Sequence, residues 1–171
     1  MTRVGSDLNR LLGELDKLCA MADGAEITEA LIREVTSESL EAKVFDLSKC
    51  ILQGNMTRAQ EIVRALRTAK EKPTSVLSVL SGAYVDLYRA KVAQAGGERA
   101  ENLASVFSYR GREFVLRNAA RDAGRLPLQA LRDSLDILAE ADTTMKSSPV
   151  DKWLVLERTV VRLGLRLRGN A

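Results

Sequence analysis

The 171-residue chain contains no histidine, only two cysteines and three prolines, and 4% aromatic residues. Without histidine it lacks the commonest general base of enzymes and the commonest protein ligand of metal ions. No Gly-rich segment ends in Gly-Lys-Ser or Gly-Lys-Thr, which excludes a phosphate-binding loop of that type. The sequence therefore predicts no catalytic site, no metal site and no cofactor.

Long apolar runs are also missing. No run approaches the roughly 20 residues that span a bilayer, and the N-terminal segment lacks the apolar core of a signal peptide. Cys19 and Cys50 both lie in apolar helical patterns, which favours buried free thiols in a reducing compartment. The formal net charge of +3 does not by itself indicate nucleic acid. We therefore expect a cytoplasmic protein without membrane contact.

What the chain does contain is helical periodicity. Strands are enriched in aromatic and β-branched residues, so few aromatics beside abundant Leu and Ala favour helices. Apolar residues recur every three to four positions, which is the period of one helix face. The pattern predicts an all-α helical bundle with helices over about 8–22, 28–35, 44–53, 57–70, 73–95, 100–106, 111–123, 127–146 and 150–168.

A mostly polar stretch, residues 37–43, is the best candidate for a domain boundary. It follows residues 1–36, whose two helices cannot bury both their faces alone and are therefore expected to be a remnant of a larger domain. It precedes residues 44–171, which are expected to form one all-helical domain.

An acidic residue interrupts the leucine stripe of the predicted helix 127–146. The stripe runs at helical spacing through Leu128, Leu131, Leu135, Leu138 and Met145. Asp142 falls on it, where an apolar residue is due, and Lys146 follows one turn later. A buried carboxylate is costly unless it is paired. We therefore predict a buried structural ion pair between Asp142 and Lys146 that fixes the helix end.

Residues 98–124 resemble a helix-turn-helix in length and small-residue content. A recognition helix directs basic residues toward phosphates or base edges. The alternative is a solvated basic face on a core helix, with Phe114, Val115 and Ala119 inward. DNA binding therefore remains an alternative function, and it is expected to be weak. The arginines close to one face of the second helix are Arg110, Arg117, Arg121 and Arg125.

The last predicted helix carries an arginine row, Arg158, Arg162 and Arg166, opposite its apolar face. Such a row could pair with carboxylates of a neighbouring subunit, or it could lie in solvent and compensate an apolar helix. Glu157 borders the apolar face and is expected to pair with a nearby Lys or Arg. These four residues are the candidate subunit interface.

Tyr84 and Tyr88 lie one turn apart on the predicted helix 73–95. Tyrosines of this kind usually pack at the edge of a core with the hydroxyl in water. We therefore expect packing at the core edge and assign neither residue to a ligand site.

Taken in order, four stretches resemble the C-terminal half of the delta subunit of bacterial DNA polymerase III, a clamp-loader component. The first is DLNRLLGELDKLCAMA with ITEALIREV, and the second is VFDLSKCILQGNMTRAQEIVRAL. The third is TSVLSVLSGAYVDLYRAKVAQ, and the fourth is LQALRDSLDILAEADTTMKSS with WLVLERTVVRL. In that family the acid-to-lysine step at Asp142 and Lys146 and the run Leu156-Glu157-Arg158 recur in this position.

The resemblance implies an all-helical collar domain that packs against other clamp-loader subunits in a ring of five. Ahead of it, two helices would belong to a three-helix, AAA+-like lid. The implied partners are subunits of the tau/gamma and delta-prime types. The implied role is to help open the sliding clamp and load it on primed DNA, without ATP hydrolysis, as a component of the DNA-directed DNA polymerase III holoenzyme.

One departure from the family pattern matters. The N-terminal domain that carries the clamp-binding element in the family has no counterpart in this sequence. We therefore expect a fragment of about half the family's length, which would reach the sliding clamp only through the missing domain and could not open it alone.

Overall fold

The computed structural model describes residues 8–35, 39–109 and 113–168, and these ranges are built from eight α-helices and one 3₁₀-helix, without a strand. The all-α prediction is therefore confirmed. The elements are α1 (Leu8–Ala22), α2 (Glu29–Val35), α3 (Leu40–Leu52), α4 (Met56–Thr68), α5 (Pro73–Ala95), the 3₁₀-helix (Ala100–Ser105), α6 (Glu113–Ala123), α7 (Leu128–Ser147) and α8 (Lys152–Arg168).

The chain divides into two units, Met1–Val44 and Phe45–Ala171. In the first unit, Leu18 of α1 is buried, but Leu12 and Leu15 are 51% and 49% exposed. Much of the apolar face of α1 is thus left uncovered. Cys19, expected to be buried, is exposed as well.

Part of the predicted linker 37–43 is helical. Ser39 Oγ accepts a hydrogen bond from the backbone N–H of Ala42 at 3.1 Å, so Ser39 caps α3, which begins at Leu40. The polar composition of this stretch comes from a capping residue and the solvated first turn of a helix. Residues 40–43 of the predicted linker thus lie in α3, and residues 37 and 38 lie outside the described part of the chain.

The second unit is organised around α5, which packs against α6, α7, α8 and the 3₁₀-helix, while α8 packs against α4 and α7. Pro73 opens α5, as its fixed φ angle favours at a first helical position. Apolar residues at helical spacing bury one face of this helix: Val76, Leu77, Leu80, Tyr84, Leu87, Ala90 and Ala93.

Helix α4 begins at Met56, one residue before the start predicted from the sequence. Asn55 Oδ1 accepts from the backbone N–H of Arg58 at 3.2 Å and so caps the helix. Gly54 precedes this cap with φ +73°, a left-handed conformation that glycine adopts without strain. Arg168, at the end of α8, donates from Nη2 to the Gly54 carbonyl oxygen at 2.5 Å. The α3–α4 turn is thereby tied to the last described residue.

Two apolar faces lie slightly differently from the predicted ones. On α7 the buried face passes through Leu131, Ser134, Leu138, Ala141 and Met145. Ser134 Oγ donates a hydrogen bond to the Ala130 carbonyl oxygen at 2.7 Å. Because this bond satisfies the hydroxyl, a polar residue can lie in the core there. The stripe that the leucines predicted is rotated accordingly, and Asp142 lies beside the buried face.

On α6 the buried residues are Leu116, Ala119 and Ala123, whereas Phe114 is 44% exposed. The inward position predicted for Phe114 is therefore wrong. Cys50 of α3 is half-buried, and burial raises the pKa of its thiol. In the portion of the chain that the structure describes, no helix combines the length and the apolarity that crossing a membrane requires.

Candidate functional site

The predicted arginine row of α8 is divided between two surfaces. Arg162 Nη1 lies 2.7 Å from Glu140 Oε2 of α7. One turn later, Arg166 Nε donates to Asp133 Oδ2 of α7 at 2.5 Å. Both guanidinium groups are thus committed to the neighbouring helix of the same chain. They join α7 to α8 at two levels.

Asp133 receives hydrogen bonds from two sides. Gln129 Nε2 donates to Oδ1 at 2.7 Å, and Arg166 donates to Oδ2. Hydrogen bonds to the ionised carboxylate, first from Gln129 and then from Arg166, lower the pKa of Asp133. The pair is therefore set to stay charged wherever the protein is folded near neutral pH.

Glu157 lies on the opposite flank of α8, facing α4. Arg67 Nη1 of α4 is 3.4 Å from Glu157 Oε1, and Arg67 Nη2 is 3.8 Å from Asp151 Oδ2. Asp151 also caps α8 by accepting from the Trp153 backbone N–H at 2.8 Å. Arg67 therefore joins the end of α4 to the start of α8.

Arg158 lines the same groove as Glu157 but takes part in none of these intramolecular pairs. Its side chain is exposed, and so is that of Arg64 on α4; among the described residues neither has an ionic or hydrogen-bonding partner. Both line a groove of about 360 Å³ between α4 and α8. Arg158 is thus the one member of the predicted row whose positive charge remains available at a concave surface.

Apolar side chains accompany this groove. Val63 and Val160, both buried, line it from α4 and α8, and Leu154 and Val161 line it while remaining 62% and 38% exposed. Leu165, 65% exposed, continues the same face of α8. The spacing of four, three and four residues from Leu154 through Arg158 and Val161 to Leu165 keeps them on one helix face.

We call this set, Leu154, Arg158, Val161 and Leu165, the α8 ridge. Sequence reasoning recognised Arg158 but missed the three apolar members, although their 4-3-4 spacing was readable. Arg64 was not predictable, because its approach to α8 depends on how α4 packs.

The predicted ion pair at the end of α7 is found at the surface. Lys146 Nζ lies 2.6 Å from Asp142 Oδ2, and the two side chains are 71% and 50% exposed. Ala141 and Met145 occupy the buried positions instead. The prediction that Asp142 is buried is therefore wrong, because the inward face of α7 passes through the smaller Ala141.

The basic residues of the helix-turn-helix-like segment do not form one row on one helix. Arg117 is exposed on α6, whereas Arg121 Nε lies 3.1 Å from Asp122 Oδ1 and Arg125 follows the end of the helix. The preceding element is a six-residue 3₁₀-helix. Arg110 lies outside the described residues. This arrangement lacks the pair of packed α-helices that a helix-turn-helix requires.

A cluster that the sequence did not indicate anchors the segment after the 3₁₀-helix. Tyr109 Oη donates to Asp86 Oδ1, and Arg89 Nη1 donates to Tyr109 Oη at 2.9 Å. The Arg89 guanidinium also lies 3.9 Å from the centroid of the Phe107 ring, within cation–π range. Burial and the bond to Asp86 raise the pKa of Tyr109. We interpret the role of this cluster as structural, because it holds the segment after the 3₁₀-helix against α5.

Tyr84 is fully buried, so the prediction that its hydroxyl reaches water is wrong. Its Oη has no hydrogen-bond partner among the described residues, and burial raises the pKa of its phenol. No three Cys, Asp or Glu side chains within the described ranges converge into a group able to hold a metal ion.

Comparison with known proteins adds the following. Residues 41–163 match the family model described as DNA polymerase III delta subunit, C-terminal domain. The DNA polymerase III subunit delta of Bacillus subtilis (strain 168) is 26% identical over 168 residues, which cover 98% of this chain and 48% of that protein. The solved structure of the Bacillus subtilis DNA clamp loader delta protein superposes with a TM-score of 0.81 at 25% identity, covering 92% of this chain and 46% of that one. The chain thus spans about half the length of these relatives.

Proposed function

This chain belongs to the DNA polymerase III delta subunit family through its C-terminal domain, and from that membership we propose that it is the subunit-assembly region of a clamp-loader delta subunit. The second unit, Phe45–Ala171, would be the collar piece that neighbouring subunits grip. The helices α1 and α2 would be part of an AAA+-like lid. The proposed partners are the tau/gamma-type and delta-prime-type subunits of the same complex.

The observation that carries this proposal is the family match over residues 41–163, which takes in α4 to α7 complete and most of α3 and α8. A protein domain whose core is filled by its own helices and which offers only surface grooves is suited to docking. In the intact family protein, we assign contact with the sliding clamp, and the opening of that clamp on primed DNA, to the half that lies outside the matched chain.

The proposal assigns no chemistry to this chain. We therefore expect no polymerase or ATPase turnover from it. It further places the protein in the bacterial cytoplasm, where the replication machinery works. The DNA-binding alternative is not favoured, because Arg121 is paired with Asp122 and Arg125 lies beyond the end of α6.

The test is reconstitution. The purified chain is mixed with tau/gamma-type and delta-prime-type subunits of its own source, and complexes are separated by size-exclusion chromatography. We expect the chain to co-elute with at least one of them, and an unrelated helical protein of similar size to elute separately. Failure to co-elute with any clamp-loader subunit would contradict the proposal, as would ATPase activity of the chain alone.

A further inference from the structure

The groove between α4 and α8 combines uncompensated positive charge with uncovered apolar surface. Other arginines on the same two helices are neutralised within the chain: Arg58 by Glu61 at 2.8 Å, Arg67 by Glu157, Arg162 by Glu140 and Arg166 by Asp133. Arg168 at the end of α8 donates to the Gly54 carbonyl oxygen instead, and the guanidinium groups of Arg64 and Arg158, which line the groove, have no partner among the described residues. Because the neighbouring arginines are paired within the chain, these two guanidinium groups are the ones that can bind a carboxylate of another molecule.

The apolar part of the surface has the dimensions of a helix contact. The α8 ridge extends for roughly 17 Å at 1.5 Å per residue, which is about three turns. Leu154 and Leu165 mark its ends, and both are more than 60% exposed. A face of this length that carries three apolar residues and one arginine beside a groove matches the way an amphipathic helix is recognised, through anchors repeated every three to four residues.

Building on the proposed function, we infer that this groove receives an amphipathic helix of a neighbouring clamp-loader subunit, whose acidic side chains meet Arg64 and Arg158 while its apolar side chains cover Leu154 and Val161. Arginine forms bidentate bonds with carboxylates and is enriched at protein interfaces, where it contacts both charge and apolar surface. The inferred interface therefore keeps Arg158 from the predicted arginine row. It adds Arg64, Leu154 and Val161, which were not part of that row.

Other occupants fit the surface less well. A second copy of this chain, docked through a two-fold axis, would bring the same patch against itself and set the arginines against arginines. A nucleic-acid backbone would satisfy the two guanidinium groups but would leave the apolar ridge uncovered. A helix that carries both carboxylates and apolar anchors satisfies both features.

Charge reversal tests the electrostatic part. In the reconstitution with clamp-loader subunits, we expect Arg64→Glu/Arg158→Glu to weaken binding at least about tenfold, because each substitution sets a carboxylate against the acidic helix. The matched control, Arg117→Glu/Arg125→Glu, makes the same change in net charge on another surface and should stay within about twofold of the unchanged chain. Binding of the unchanged chain should also weaken with added salt more than that of the groove variant.

Truncation of the ridge tests the apolar part. Leu154→Ser/Val161→Ser should weaken the same complex, whereas Val106→Ser/Leu128→Ser, at exposed positions elsewhere, should not. Because all of these side chains are exposed, folding should persist, and urea unfolding followed through the single tryptophan, Trp153, checks it.

The outcomes separate the two proposals. If the unchanged chain binds and the groove variants bind equally well, the groove inference is wrong while the proposed function stands. If the unchanged chain binds no clamp-loader subunit, both are wrong. The groove assignment is also overturned if Arg64→Glu/Arg158→Glu abolishes only self-association, seen by analytical ultracentrifugation, or only binding to duplex DNA.

Discussion

Arg162 of α8 reaches Glu140 of α7 with 2.7 Å between Nη1 and Oε2, two turns along α7 from the contact between Asp133 and Arg166. The two pairs run along the same helix–helix seam. Arg162 and Arg166, which the sequence predicts as part of a subunit interface, thus pair with carboxylates of their own chain.

We expect the Glu140–Arg162 pair to stabilise the fold only modestly. Its two side chains are 55% and 36% exposed, so water screens the charges. A double-mutant cycle with Glu140→Ala and Arg162→Ala should give a coupling free energy of about 0.2–1 kcal/mol. Urea unfolding at low and high salt measures it, with Arg117→Ala as the surface control. A coupling above about 2 kcal/mol would indicate a desolvated pair and contradict the structure.

Asp142→Ala should change the free energy of unfolding by no more than about 0.5 kcal/mol, because the Asp142–Lys146 pair is exposed. Its neighbour provides the contrast. Ala141 is 4% exposed, so Ala141→Asp should destabilise by about 3 kcal/mol or more through a buried unpaired charge. Equal effects of the two substitutions in urea unfolding would reverse the assignment of the buried face of α7.

Tyr84→Phe should leave stability unchanged at pH 7 or raise it by up to about 1 kcal/mol, because the buried hydroxyl has no hydrogen-bond partner to lose. Urea unfolding of both proteins measures the difference. A loss above about 1.5 kcal/mol would show that the hydroxyl is bonded in solution.

Tyr84 should also make the fold lose stability at alkaline pH. Burial raises the pKa of Tyr84 because the phenolate would be desolvated. In the unfolded chain tyrosine ionises near pH 10, so the contribution of Tyr84 is complete below that pH and declines above it by about 1.4 kcal/mol per pH unit. Between pH 9 and 11 the unchanged protein should lose more stability than Tyr84→Phe does; identical losses would contradict burial of the phenol.

Acid should destabilise the fold partly by protonating Asp133. Hydrogen bonds from Gln129 and Arg166 lower its pKa below the ordinary 3.8, so the folded state binds this proton less readily than the unfolded state. The contribution is present above pH 4 and is lost as the pH falls through the lowered pKa. Asp133→Asn should therefore reduce the acid-induced loss of stability, compared with Asp136→Asn on the same helix as control. Parallel pH profiles of the two variants would refute it.

Gly164 allows a close approach of α8 to α4. A Cβ atom added there would meet Met56, with Cε at 2.9 Å and Sδ still closer. Gly164→Leu should destabilise by about 1–3 kcal/mol through overpacking, and Met56→Ala in the same chain should restore part of that loss. Gly164→Ala should cost less, because the flexible Met56 side chain can move and alanine favours the helix by about 1 kcal/mol. Failure of Met56→Ala to relieve Gly164→Leu would place the clash elsewhere.

Much of the fold could be predicted from local signals. The bounds of α1 and α5 follow from apolar period and from Asp23-Gly24, Pro73 and Gly96 at their ends. The buried set of α4, Ala59, Ile62, Val63 and Leu66, is the one that its spacing predicts. These features depend on a period and on turn chemistry, both of which are properties of neighbouring residues.

Whether a residue at the margin of a helix face is buried was harder to predict from the sequence. Asp142 and Ala141 differ by one position, and either could face inward until α7 is packed against α5 and α8. Tyr84 was expected at the edge of the core and lies within it. In each case the outcome depends on how far neighbouring helices extend over the face, which no local pattern encodes.

The amino-acid sequence by itself determined the helical class, the position of most helices and, through the order of four stretches, the family resemblance. Only the tertiary structure decided which of the positive charges are left without a carboxylate partner inside the chain. Arginines at four-residue spacing are equivalent in sequence, but packing sets Arg162 and Arg166 against the carboxylates of α7 and leaves Arg158 beside Arg64 at an open groove. The physical reason is that charge compensation requires a carboxylate within about 4 Å, and such distances between helices exist only after the helices have packed.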